Sequence, residues 1–413
     1  MNTLKTELAV VGGGAAGLLA AAVAAGRGID TLLIEPNRVL GKKLRITGKG
    51  RCNLTNNCDR KTLMENIPGN ANFLYSAFSK FDSAAVMELF EELGVPLKTE
   101  RGNRVFPVSD SAHDVANALE RYGRKNGVKL LSRRVTALHQ QNGRITGLTA
   151  GDTKVICRAV ILCTGGLSYP GTGSTGDGYG LARSMGHTIV QPAASLVPLE
   201  SDDEYCTQMQ GFSLRNVTAK IYDETGRLVY SELGELLFTH FGVSGPLILS
   251  ASAHMRDFSE HSYRLAIDLK PGLDEKKLDA RILRDFEKYA NKEFKNSLGE
   301  LEGRAMLPAI IALSEIPEDT KVNSITRQQR QGLVQLLKNF PVSIKGPRPI
   351  SEAIITAGGV SLKEIDPKTM ESKLVNGLCF AGELMDLDAY TGGFNLQIAW
   401  STAYAAACGA SEG

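Results

Sequence analysis

Residues 10–17 read Val10-Val11-Gly12-Gly13-Gly14-Ala15-Ala16-Gly17, a strand-to-helix turn whose glycines follow the pattern Gly-x-Gly-x-x-Gly. An aliphatic run precedes the turn and an alanine-rich run follows it, as in the fingerprint of dinucleotide-binding βαβ units. The first glycine permits the tight turn, the second admits a pyrophosphate and the third lets helix and strand pack closely. Because a helix N-terminus attracts anions, we predict cofactor contacts at Gly12, Gly14, Ala15, Ala16 and Gly17.

The next predicted strand, residues 30–34, ends on Glu35. An acidic residue at this place in the fingerprint hydrogen-bonds the ribose of the nucleotide, and we predict that role for Glu35. The glycine-rich turn alone is weak evidence. The strand, the helix and the acid together indicate a nucleotide site.

Two later strands also end in glycines. Residues 159–163 lead into Thr164-Gly165-Gly166, and residues 377–381 lead into Gly382-Glu383. In many flavoproteins the first such strand passes behind the diphosphate, and the second carries an acid, usually aspartate, that meets the ribityl chain. Glu383 is one methylene longer than that aspartate. Taken singly, a strand of this kind is also compatible with a buried strand followed by a glycine turn.

The segment Thr391-Gly392-Gly393-Phe394-Asn395 opens a helix of small residues. Its N-terminus, at Gly393, Asn395 and Leu396, is suited to the N1–C2=O edge of a flavin, where negative charge builds on reduction. An NAD domain has no reason to return to its site at the far end of the chain. We therefore predict FAD as the bound cofactor.

A second match to the fingerprint, Gly171-x-Gly173-x-x-Gly176, does not predict a second nucleotide domain. The strand expected after it, residues 187–190, ends at Gln191-Pro192 without an acid. We interpret this segment as a loop that lines the flavin, with Asp177 in the cofactor site and capping the next helix. NAD(P)H, the predicted electron donor, would then reach the flavin without a domain of its own.

Composition limits the classes of function. The chain has 413 residues, a formal net charge of +2 and seven cysteines. The near-neutral charge gives no global electrostatic case for nucleic acid or an anionic membrane, no apolar run reaches the roughly 20 residues of a membrane span, and the first residues lead straight into a strand, which leaves no room for a signal peptide. The cysteines form no Cys-x-x-Cys pair, so we predict no disulfide framework and no metal site. We expect a cytoplasmic protein.

The pattern of periodicities predicts an α/β protein with three parts. A split, Rossmann-like FAD-binding domain is expected over residues 1–193 and 346–413, where strands and helices alternate. Short alternating strands predict a β-barrel-like insert over residues 194–272 and 339–345. Helical spacing predicts that the insert itself carries a helical insert, residues 273–338.

Several local elements follow from the same reasoning. We expect helices over residues 81–93 and 111–126, and a hairpin turn at Asn142-Gly143. Residues 155–163 are expected to form a single strand.

Three motifs resemble a known family. They are the segment from Leu40 to Asn56, with Gly50-Arg51-Cys52-Asn53-Leu54-Thr55-Asn56 at its end, the segment from Phe238 to Pro246, and Thr356-Ala357-Gly358-Gly359-Val360. Together they resemble the bacterial three-domain FAD flavoproteins that include BaiN, YtfP and YhiN, and the resemblance extends over essentially the whole chain. It implies an FAD domain split across both termini, a barrel-like insert and a helical insert within that insert.

The resemblance also implies a reaction class, because members of the family are linked to related chemistry. Some are linked to reduction of 3-oxo-4,6-diene bile acids and others to dihydrouridine formation in 23S ribosomal RNA. In both, a hydride reaches the β carbon of a carbonyl-activated alkene and a proton reaches the neighbouring carbon. Other members are described as aminoacetone oxidases.

The predicted cofactor contacts include a basic cluster in the segment from Leu40 to Asn56. Arg45, Lys49 and Arg51 are suited to the FAD diphosphate, an NADPH phosphate or a substrate carboxylate, although a solvated charged loop is the alternative. Asn53 and Asn56 are suited to the flavin ring or to a turn. The remaining predicted contacts from residues 43 to 135 are Lys43, Thr47, Gly50, Cys52 and Val135.

Candidate proton donors are Cys52, His240 and Tyr390. Cys52 is equally compatible with a small buried packing residue. His240 lies in a loop of the insert, and histidine exchanges protons near neutral pH, although a lone histidine is more often structural. Tyr169 is a further alternative to Tyr390, because both flank presumed flavin loops.

We therefore expect an FAD-dependent ene-reductase that uses NAD(P)H and acts on a hydrophobic small molecule, with a 3-oxo-4,6-diene bile acid as the first substrate. The first alternative is dihydrouridine synthesis in 23S rRNA. It would need a basic face, for which the helical insert offers five residues interleaved with acidic ones: Lys276, Lys277, Arg281, Arg284 and Lys288. The second alternative is an aminoacetone-type oxidase that passes electrons to oxygen, and a flavin-binding sensor without turnover is the least favoured.

Overall fold

The computed structural model describes residues 2–412. The strands before residue 196 are β1 (Asn2–Lys5), β2 (Leu8–Val11), β3 (Thr31–Ile34), β4 (Thr55–Asn56), β5 (Leu97–Glu100), β6 (Arg104–Pro107), β7 (Lys129–Leu131), β8 (Val135–Gln141), β9 (Arg144–Ala150), β10 (Thr153–Ile156), β11 (Ala159–Leu162) and β12 (Ile189–Ser195). The later strands are β13 (Leu199–Glu200), β14 (Ser213–Asp223), β15 (Leu228–Thr239), β16 (Gly242–Ser244), β17 (Tyr263–Asp268), β18 (Phe340–Ser343), β19 (Gly346–Pro347), β20 (Ile355–Val360) and β21 (Leu378–Phe380).

The α-helices lie between these strands and at the end of the chain. In chain order they are α1 (Ala15–Gly26), α2 (Arg60–Glu65), α3 (Tyr75–Lys80), α4 (Ser83–Glu92), α5 (Ala112–Lys125), α6 (Asp177–Ser184), α7 (Glu204–Gln208), α8 (Pro246–Ser252), α9 (Glu275–Lys288), α10 (Leu307–Leu313), α11 (Arg327–Lys338) and α12 (Phe394–Glu412). The helices expected over residues 81–93 and 111–126 are thus present as α4 and α5.

The chain divides into two compact units. The first unit contains the residues up to Ser195 and those from Pro349 onward, and the second unit is Leu196–Arg348. The first unit is therefore discontinuous and contains both ends of the chain. This arrangement, with the parallel sheet described next, confirms the α/β class and the split Rossmann-like fold. The finer division into three domains stays a prediction.

A five-stranded parallel sheet forms the centre of the first unit, in the order β21-β11-β2-β3-β7. Its three inner strands, β11, β2 and β3, are buried along their whole length. Strands buried on both faces are continuous apolar runs rather than alternating ones, and these three consist of Ala, Val, Ile and Leu with one threonine.

Helix α1 packs on this sheet and contacts α5 and α12. Most of its residues are buried alanines and leucines. The small side chains let neighbouring helices approach, and the start of α1 lies directly against the turn that follows β2. A Cβ atom on Gly17 would lie 1.8 Å from the carbonyl oxygen of Gly12. Only glycine fits at this position.

Three smaller sheets complete the first unit, in the orders β1-β10-β9-β8, β12-β20 and β4-β6-β5. Strands β8 and β9 form the expected hairpin, in which Asn142 and Gly143 both have positive φ angles of 52° and 72°. Such a two-residue turn matches the twist of the flanking strands.

Two predictions about strands in this unit were wrong. Residues 155–163 form parts of two strands rather than one, because the chain changes sheet at Cys157 and Arg158: β10 pairs with β1 and β9, while β11 pairs with β2 and β21. The strand expected to end at Gln191-Pro192 continues to Ser195 as β12. A bulge between Val190 and Ala193 accommodates the proline, which cannot donate to the ladder.

The second unit contains a seven-stranded sheet in the order β18-β17-β14-β15-β16-β13-β19, in which all neighbouring strands are antiparallel. The two edge strands, β18 and β19, follow each other in the chain with only residues 344–345 between them. Two intervening residues span about 11 Å at most. The edges of the sheet are therefore close together, which gives it its barrel-like form.

Helices α9, α10 and α11 lie between β17 and β18 in the chain. Arg330 of α11 pairs with Asp279 of α9 at 2.6 Å, and the buried faces of both helices join the apolar core of this unit. Within residues 2–412, no helix has both the length and the apolar character that crossing a membrane requires.

A pair of glycine substitutions tests the close approach of α1 to β2. We expect Gly17→Ala to lower the free energy of unfolding by about 3 kcal/mol, because the new methyl group forces the helix away from the Gly12 carbonyl. Urea denaturation of the purified protein measures this. The matched control is Gly14→Ala, since a Cβ at Gly14 would have no neighbour within 4 Å. Equal unfolding midpoints for the two variants would contradict the packing argument.

Candidate functional site

The carboxyl ends of three parallel strands meet at the start of α1. A Cβ on Gly12 would lie 2.5 Å from the carbonyl oxygen of Cys163, just after β11. A Cβ on Gly382, just after β21, would lie 3.0 Å from the Cβ atom of Ala16. We call residues 12–17, 35, 164–166 and 382–383 the cradle. Ligands of open α/β sheets bind at such carboxyl ends.

The centre of the cradle has room for a ligand. Gly14 is the N-cap of α1, with an extended backbone, and nothing lies within 4 Å of the position that a Cβ would take there. The N-cap also has no side-chain hydrogen bond, so the first N–H groups of α1 have no capping side chain. Open space above a helix N-terminus is what the pyrophosphate of a dinucleotide requires.

Glu35 lies at the end of β3, where the sequence predicts a ribose contact. Its carboxylate accepts hydrogen bonds from Gly13 N at 2.7 Å and from Asn37 N at 2.8 Å. The Asn37 side chain donates a third bond at 2.7 Å. These bonds fix the carboxylate against the glycine loop, and a carboxylate has capacity for a further acceptor bond. The ribose contact stays a prediction.

Glu383 is joined to Lys43 in a network of hydrogen bonds. Its Oε2 lies 2.6 Å from Lys43 Nζ, and its Oε1 accepts from Ser168 Oγ at 2.8 Å and from Thr356 N at 3.0 Å. Lys43 Nζ also donates to Ser168 Oγ at 2.7 Å. The network connects four segments that are distant in sequence. Two of these residues, Lys43 and Glu383, were predicted cofactor contacts, and the structure brings them together.

The loop Thr164-Gly165-Gly166 packs directly against Thr356. A Cβ on Gly166 would lie 2.4 Å from Thr356 Oγ1, and this hydroxyl accepts from Leu167 N at 2.8 Å. Thr356 was not predicted as a site residue, although the motif Thr356–Val360 contains it. Ser168 was also missed, and a single serine after the glycines gives no signal in the sequence.

Two hydroxyl groups beside the cradle have no hydrogen-bond partner among the described residues. Thr164 Oγ1 and the Tyr179 hydroxyl are both buried. Burial raises the pKa of Tyr179, and the charges of Glu383 and Asp386 raise it further. Buried polar atoms are nearly always hydrogen-bonded in native structures. These two orphaned atoms fit a polar ligand in the cradle.

Asp177 does not cap α6, so that part of the prediction was wrong. The N-cap is Gly176, whose φ of 81° favours glycine, and it makes no side-chain capping bond. The Asp177 carboxylate instead forms an ion pair with Arg134, the residue before Val135. Val135 itself is buried at the start of β8. The cofactor contacts of Asp177 and Val135 stay predictions.

The end of the segment from Leu40 to Asn56 is a tightly wound loop. Gly48, Lys49, Gly50 and Cys52 all have positive φ angles between 57° and 84°. Thr47 Oγ1 donates to Leu44 O at 2.7 Å, and Cys52 N donates to Thr47 O at 3.0 Å. Burial raises the pKa of the Cys52 thiol to about 12, and the side chain is fully buried. This environment favours the packing alternative for Cys52.

The arginines of this loop make contacts within the protein. Arg45 lies 2.6 Å from Glu120 of α5 and also bonds Asn117 at 2.9 Å. Arg51 pairs with Glu100 and with Asp110 at 2.5 Å and 2.6 Å, and its guanidinium stacks on Phe106. Each charge is compensated by a carboxylate. Lys49 is exposed. Contacts of these residues with a phosphate stay predictions.

The start of α12 is held by the polar residues that follow Cys52. With its amide oriented to satisfy both groups, Asn53 accepts from Gly393 N at 3.0 Å and donates to Thr55 O at 3.1 Å. Asn56 donates to Gly392 O at 3.1 Å. Trp400 Nε1 donates to Leu54 O at 3.0 Å. Trp400 was not predicted as a residue of this region. It is the one tryptophan of the chain, so the sequence alone could have singled it out.

The loop before α12 is fixed by Asn395. Its side chain accepts from Ala389 N at 2.9 Å and donates to Ala389 O at 2.7 Å. Tyr390 lies in this loop, partly buried, and its N–H donates to Asn66 O at 3.0 Å. Leu396 is partly buried in the first turn of α12. Tyr390, Asn395 and Leu396 therefore lie together at the helix start.

His240 belongs to the second unit, in the turn between β15 and β16. It is exposed, and its ring contacts Phe241 edge to face at 5.0 Å between centroids. The role of His240 as a proton donor stays a prediction.

The basic residues of α9 are largely paired with acidic neighbours. Lys277 lies 3.4 Å from Asp274, Arg281 lies 2.9 Å from Asp285, and Lys288 lies 2.5 Å from Glu300. Lys276 and Arg284 are exposed. The five residues therefore do not form a continuous positive stripe. Over the described part of the chain, no group of three or more His, Cys, Asp or Glu side chains is arranged to hold a metal ion.

Replacing one lysine tests the hydrogen-bond network that joins Lys43 to Glu383 of the cradle. We expect Lys43→Met to lower the free energy of unfolding by about 2 kcal/mol, because Glu383 loses its charged hydrogen-bond partner in a partly buried site. Urea denaturation measures the change. The adjacent Lys42, which is exposed and donates to Gly171 O, is the matched control, and Lys42→Met should cost less than about 0.5 kcal/mol. A loss of the same size in both variants would show that the network does not stabilise the unit.

Comparison with known proteins agrees with this geometry. The family model described as HI0933-like protein Rossmann domain matches residues 6–409. The 3-dehydro-bile acid Δ4,6-reductase of Clostridium scindens is 30% identical, over 98% of this chain and 99% of that protein. The ribosomal RNA dihydrouridine synthase of Escherichia coli is also 30% identical, over 98% of this chain and 97% of that protein.

Solved structures share the fold at lower identity. A mutated FrdA of the Escherichia coli quinol fumarate reductase is 16% identical, with a TM-score of 0.53, over 100% of this chain and 71% of that chain. The family model and the full-length relatives go further than the fold. The chain belongs to the HI0933-like Rossmann family, the FAD flavoprotein family that its sequence resembles.

Proposed function

We propose that the protein is an oxidoreductase that binds FAD in the cradle and reduces a carbonyl-activated C=C bond with electrons from NAD(P)H. One observation carries the FAD site: strand ends from both halves of the first unit meet around the open space at Gly14. A dinucleotide whose second half extends toward α12 fits this arrangement. Membership of an oxidoreductase flavoprotein family supports the reaction class.

The residues of the cradle and the neighbouring Lys43 have distinct roles in this proposal. The first turn of α1 binds the diphosphate through its N–H groups, and Glu35 accepts hydrogen bonds from the ribose. Lys43 and Glu383 fix the loop that follows β11 through Ser168, and this loop would be available to bind the ribityl chain. FAD, when bound, accepts a hydride from NAD(P)H and passes it to the alkene. The chain has to orient the alkene, polarise its carbonyl group and supply a proton.

For the substrate we propose a 3-oxo-4,6-diene bile acid. The bile acid reductase relative covers essentially the whole chain. The net charge of +2 and the ion pairs along α9 also favour a small apolar molecule over a polyanion. The overall reaction oxidises NAD(P)H to NAD(P)⁺. The β carbon of the alkene receives the hydride, and the α carbon receives a proton from a protein donor or water.

The second candidate function is dihydrouridine formation in 23S rRNA. It is supported by two relatives that carry the name ribosomal RNA dihydrouridine synthase, both at 30% identity. The uracil ring also contains a C=C bond conjugated to a carbonyl group, so the same two-electron reduction applies.

We propose Tyr390 as the proton donor. It lies beside the first turn of α12, in the same unit as the cradle, and it is partly buried. A phenol is protonated at neutral pH and can donate to a carbon that gains negative charge. Cys52, another candidate donor in the same unit, is fully buried, and its environment favours a packing role.

The proposed function is tested by reduction of the purified yellow protein under anaerobic conditions. We expect NADH or NADPH to bleach the flavin absorbance, and a 3-oxo-4,6-diene bile acid to restore it with formation of the reduced steroid. Stopped-flow absorbance follows both half-reactions. The parallel acceptors are 23S rRNA that lacks dihydrouridine, with fully modified 23S rRNA as its control, and molecular oxygen.

Reoxidation by the three electron acceptors distinguishes the candidate functions. Reoxidation by the unmodified rRNA alone would replace the steroid proposal with the second candidate. Rapid reoxidation by oxygen alone, together with flavin reduction by an amine such as aminoacetone without NAD(P)H, would show an oxidase and overturn the ene-reductase proposal. A purified protein that retains no FAD and does not bind added FAD would overturn the proposed function entirely.

A single hydroxyl deletion tests the proton donor. We expect Tyr390→Phe to lower kcat about 100-fold, since general acid catalysis is typically worth 10²- to 10⁴-fold, while bleaching by NAD(P)H keeps its rate. Steady-state and stopped-flow kinetics measure the two steps separately. Tyr75→Phe is the matched control, because Tyr75 is an exposed tyrosine of the same unit. An unchanged kcat in Tyr390→Phe would exclude Tyr390 as the donor.

A further inference from the structure

Residues 53–56 hold the N-terminal part of α12 at several points. Besides the bonds of Asn53 and Asn56, Thr55 Oγ1 donates to Gln397 Oε1, and Gln397 Nε2 donates to Phe81 O at 3.1 Å. Gln397 is fully buried. A buried side-chain amide that is satisfied on both sides fixes one geometry. The first turn of α12 therefore has a defined position relative to the Asn53–Asn56 segment.

The Asn53–Asn56 segment and the loop before α12 approach each other too closely for a side chain at Gly393. A Cβ there would lie 2.3 Å from Thr55 O, and the φ of Gly393 is 99°. The contact brings the backbone of Gly393 within reach of the Asn53 amide, which accepts from Gly393 N at 3.0 Å. Asn53 therefore binds the backbone of the residue just before α12, and Asn56 binds that of Gly392.

The electrostatic potential at this helix start comes from the backbone. The first turn of α12 contains no acidic residue, so no carboxylate within that turn offsets the positive end of the helix dipole. Asn395, the polar residue of this turn beside Gln397, binds the Ala389 backbone. A helix N-terminus of this kind stabilises negative charge placed within its first turn.

We propose that Asn53 is a positioning residue, which holds the start of α12 and thereby raises the midpoint potential of bound FAD. This inference rests on the proposed function, because it requires FAD in the cradle with the N1–C2=O edge of the flavin at α12. Reduction places negative charge on that edge. A helix start held in position stabilises the reduced form more than the oxidised form, and so favours reduction by NAD(P)H.

The amide is needed for both of its hydrogen bonds. Asn53 accepts from Gly393 N and donates to Thr55 O, and an aspartate at the same position can accept but not donate when ionised. Asn53→Asp therefore breaks the bond to Thr55 O and adds a negative charge beside the helix start. Both effects disfavour reduced FAD.

The neighbouring asparagine provides a matched control. Asn57 is exposed, and its side chain donates to Thr99 Oγ1 at 3.3 Å. Asn57→Asp makes the same change of charge in the same segment, without a bond to α12. A third variant, Asn53→Ala, removes both hydrogen bonds without adding charge.

The experiment is a spectroscopic redox titration of each holoprotein against a dye of known potential. We expect Asn53→Asp to lower the ratio of reduced to oxidised FAD at least tenfold at a fixed potential, which is about 30 mV for a two-electron couple. Asn53→Ala should lower it about threefold, and Asn57→Asp less than twofold. For a variant that loses FAD during purification, the ratio of the Kd values for oxidised and reduced FAD gives the same quantity.

The outcomes separate this inference from the proposed function. The inference is overturned if the wild-type protein binds FAD but the ratio of reduced to oxidised FAD in both Asn53 variants stays within twofold of the wild-type ratio. Asn53 would then not set the midpoint potential. An equal shift in Asn53→Asp and Asn57→Asp would also overturn it, since the effect would then come from charge alone. A wild-type protein that does not bind FAD would instead contradict the proposed function.

Discussion

The contact between Gly17 and the carbonyl oxygen of Gly12 is the constraint on which the first unit depends. With no Cβ between them, α1 seats directly on the end of β2, and its first turn reaches the carboxyl ends of β11 and β21. The same seating brings α1 against α5 and α12. A methyl group at this one position would separate the helix from the sheet and widen the cradle. The glycine fingerprint is therefore needed for the packing of α1 on β2, whether or not a ligand is bound.

Charges around the cradle are compensated locally. Glu35 is bound by amides, Glu383 by Lys43, Arg45 by Glu120, and Arg51 by two carboxylates. The Arg51 guanidinium holds the pKa of Glu100 below its usual range. The basic residues of the Leu40–Asn56 segment therefore fix the shape of the loop. A helix N-terminus, such as the start of α1, offers positive potential to an anion without a charged side chain.

Much of this arrangement is predictable from the sequence, because local patterns determine it. The glycine fingerprint, the Asn142-Gly143 hairpin and the small-residue helix α12 each depend on a short stretch of chain, and the structure contains all three. The sequence also predicts that both ends of the chain contribute to one fold. Lys43 and Glu383, predicted separately as cofactor contacts, turn out to bind each other.

The wrong predictions concern residues whose hydrogen-bond or ion-pair partners are distant in the sequence. Residues 155–163 read as one apolar strand, but Val155 and Ile156 pair with β1 and β9 rather than with the five-stranded parallel sheet. Asp177 has the right residue type for a cap, yet Arg134, 43 residues away, binds its carboxylate. The partners of Asn53 and Thr356 could not be predicted either, because their bonds join residues that only the complete fold brings together. Local propensity carries no information on such partners.

The pairing of β11 with β21 has a consequence for how the protein is made. The whole second unit is synthesised after β11 and before β21, which pairs with one edge of β11. At 5 to 20 residues per second, the edge of β11 stays open for roughly 10 to 40 s on the ribosome, and an unpaired strand edge invites pairing with other chains. Helix α12, which packs against α1, is synthesised later still. The parallel sheet of the first unit is therefore completed only after the second unit has been synthesised.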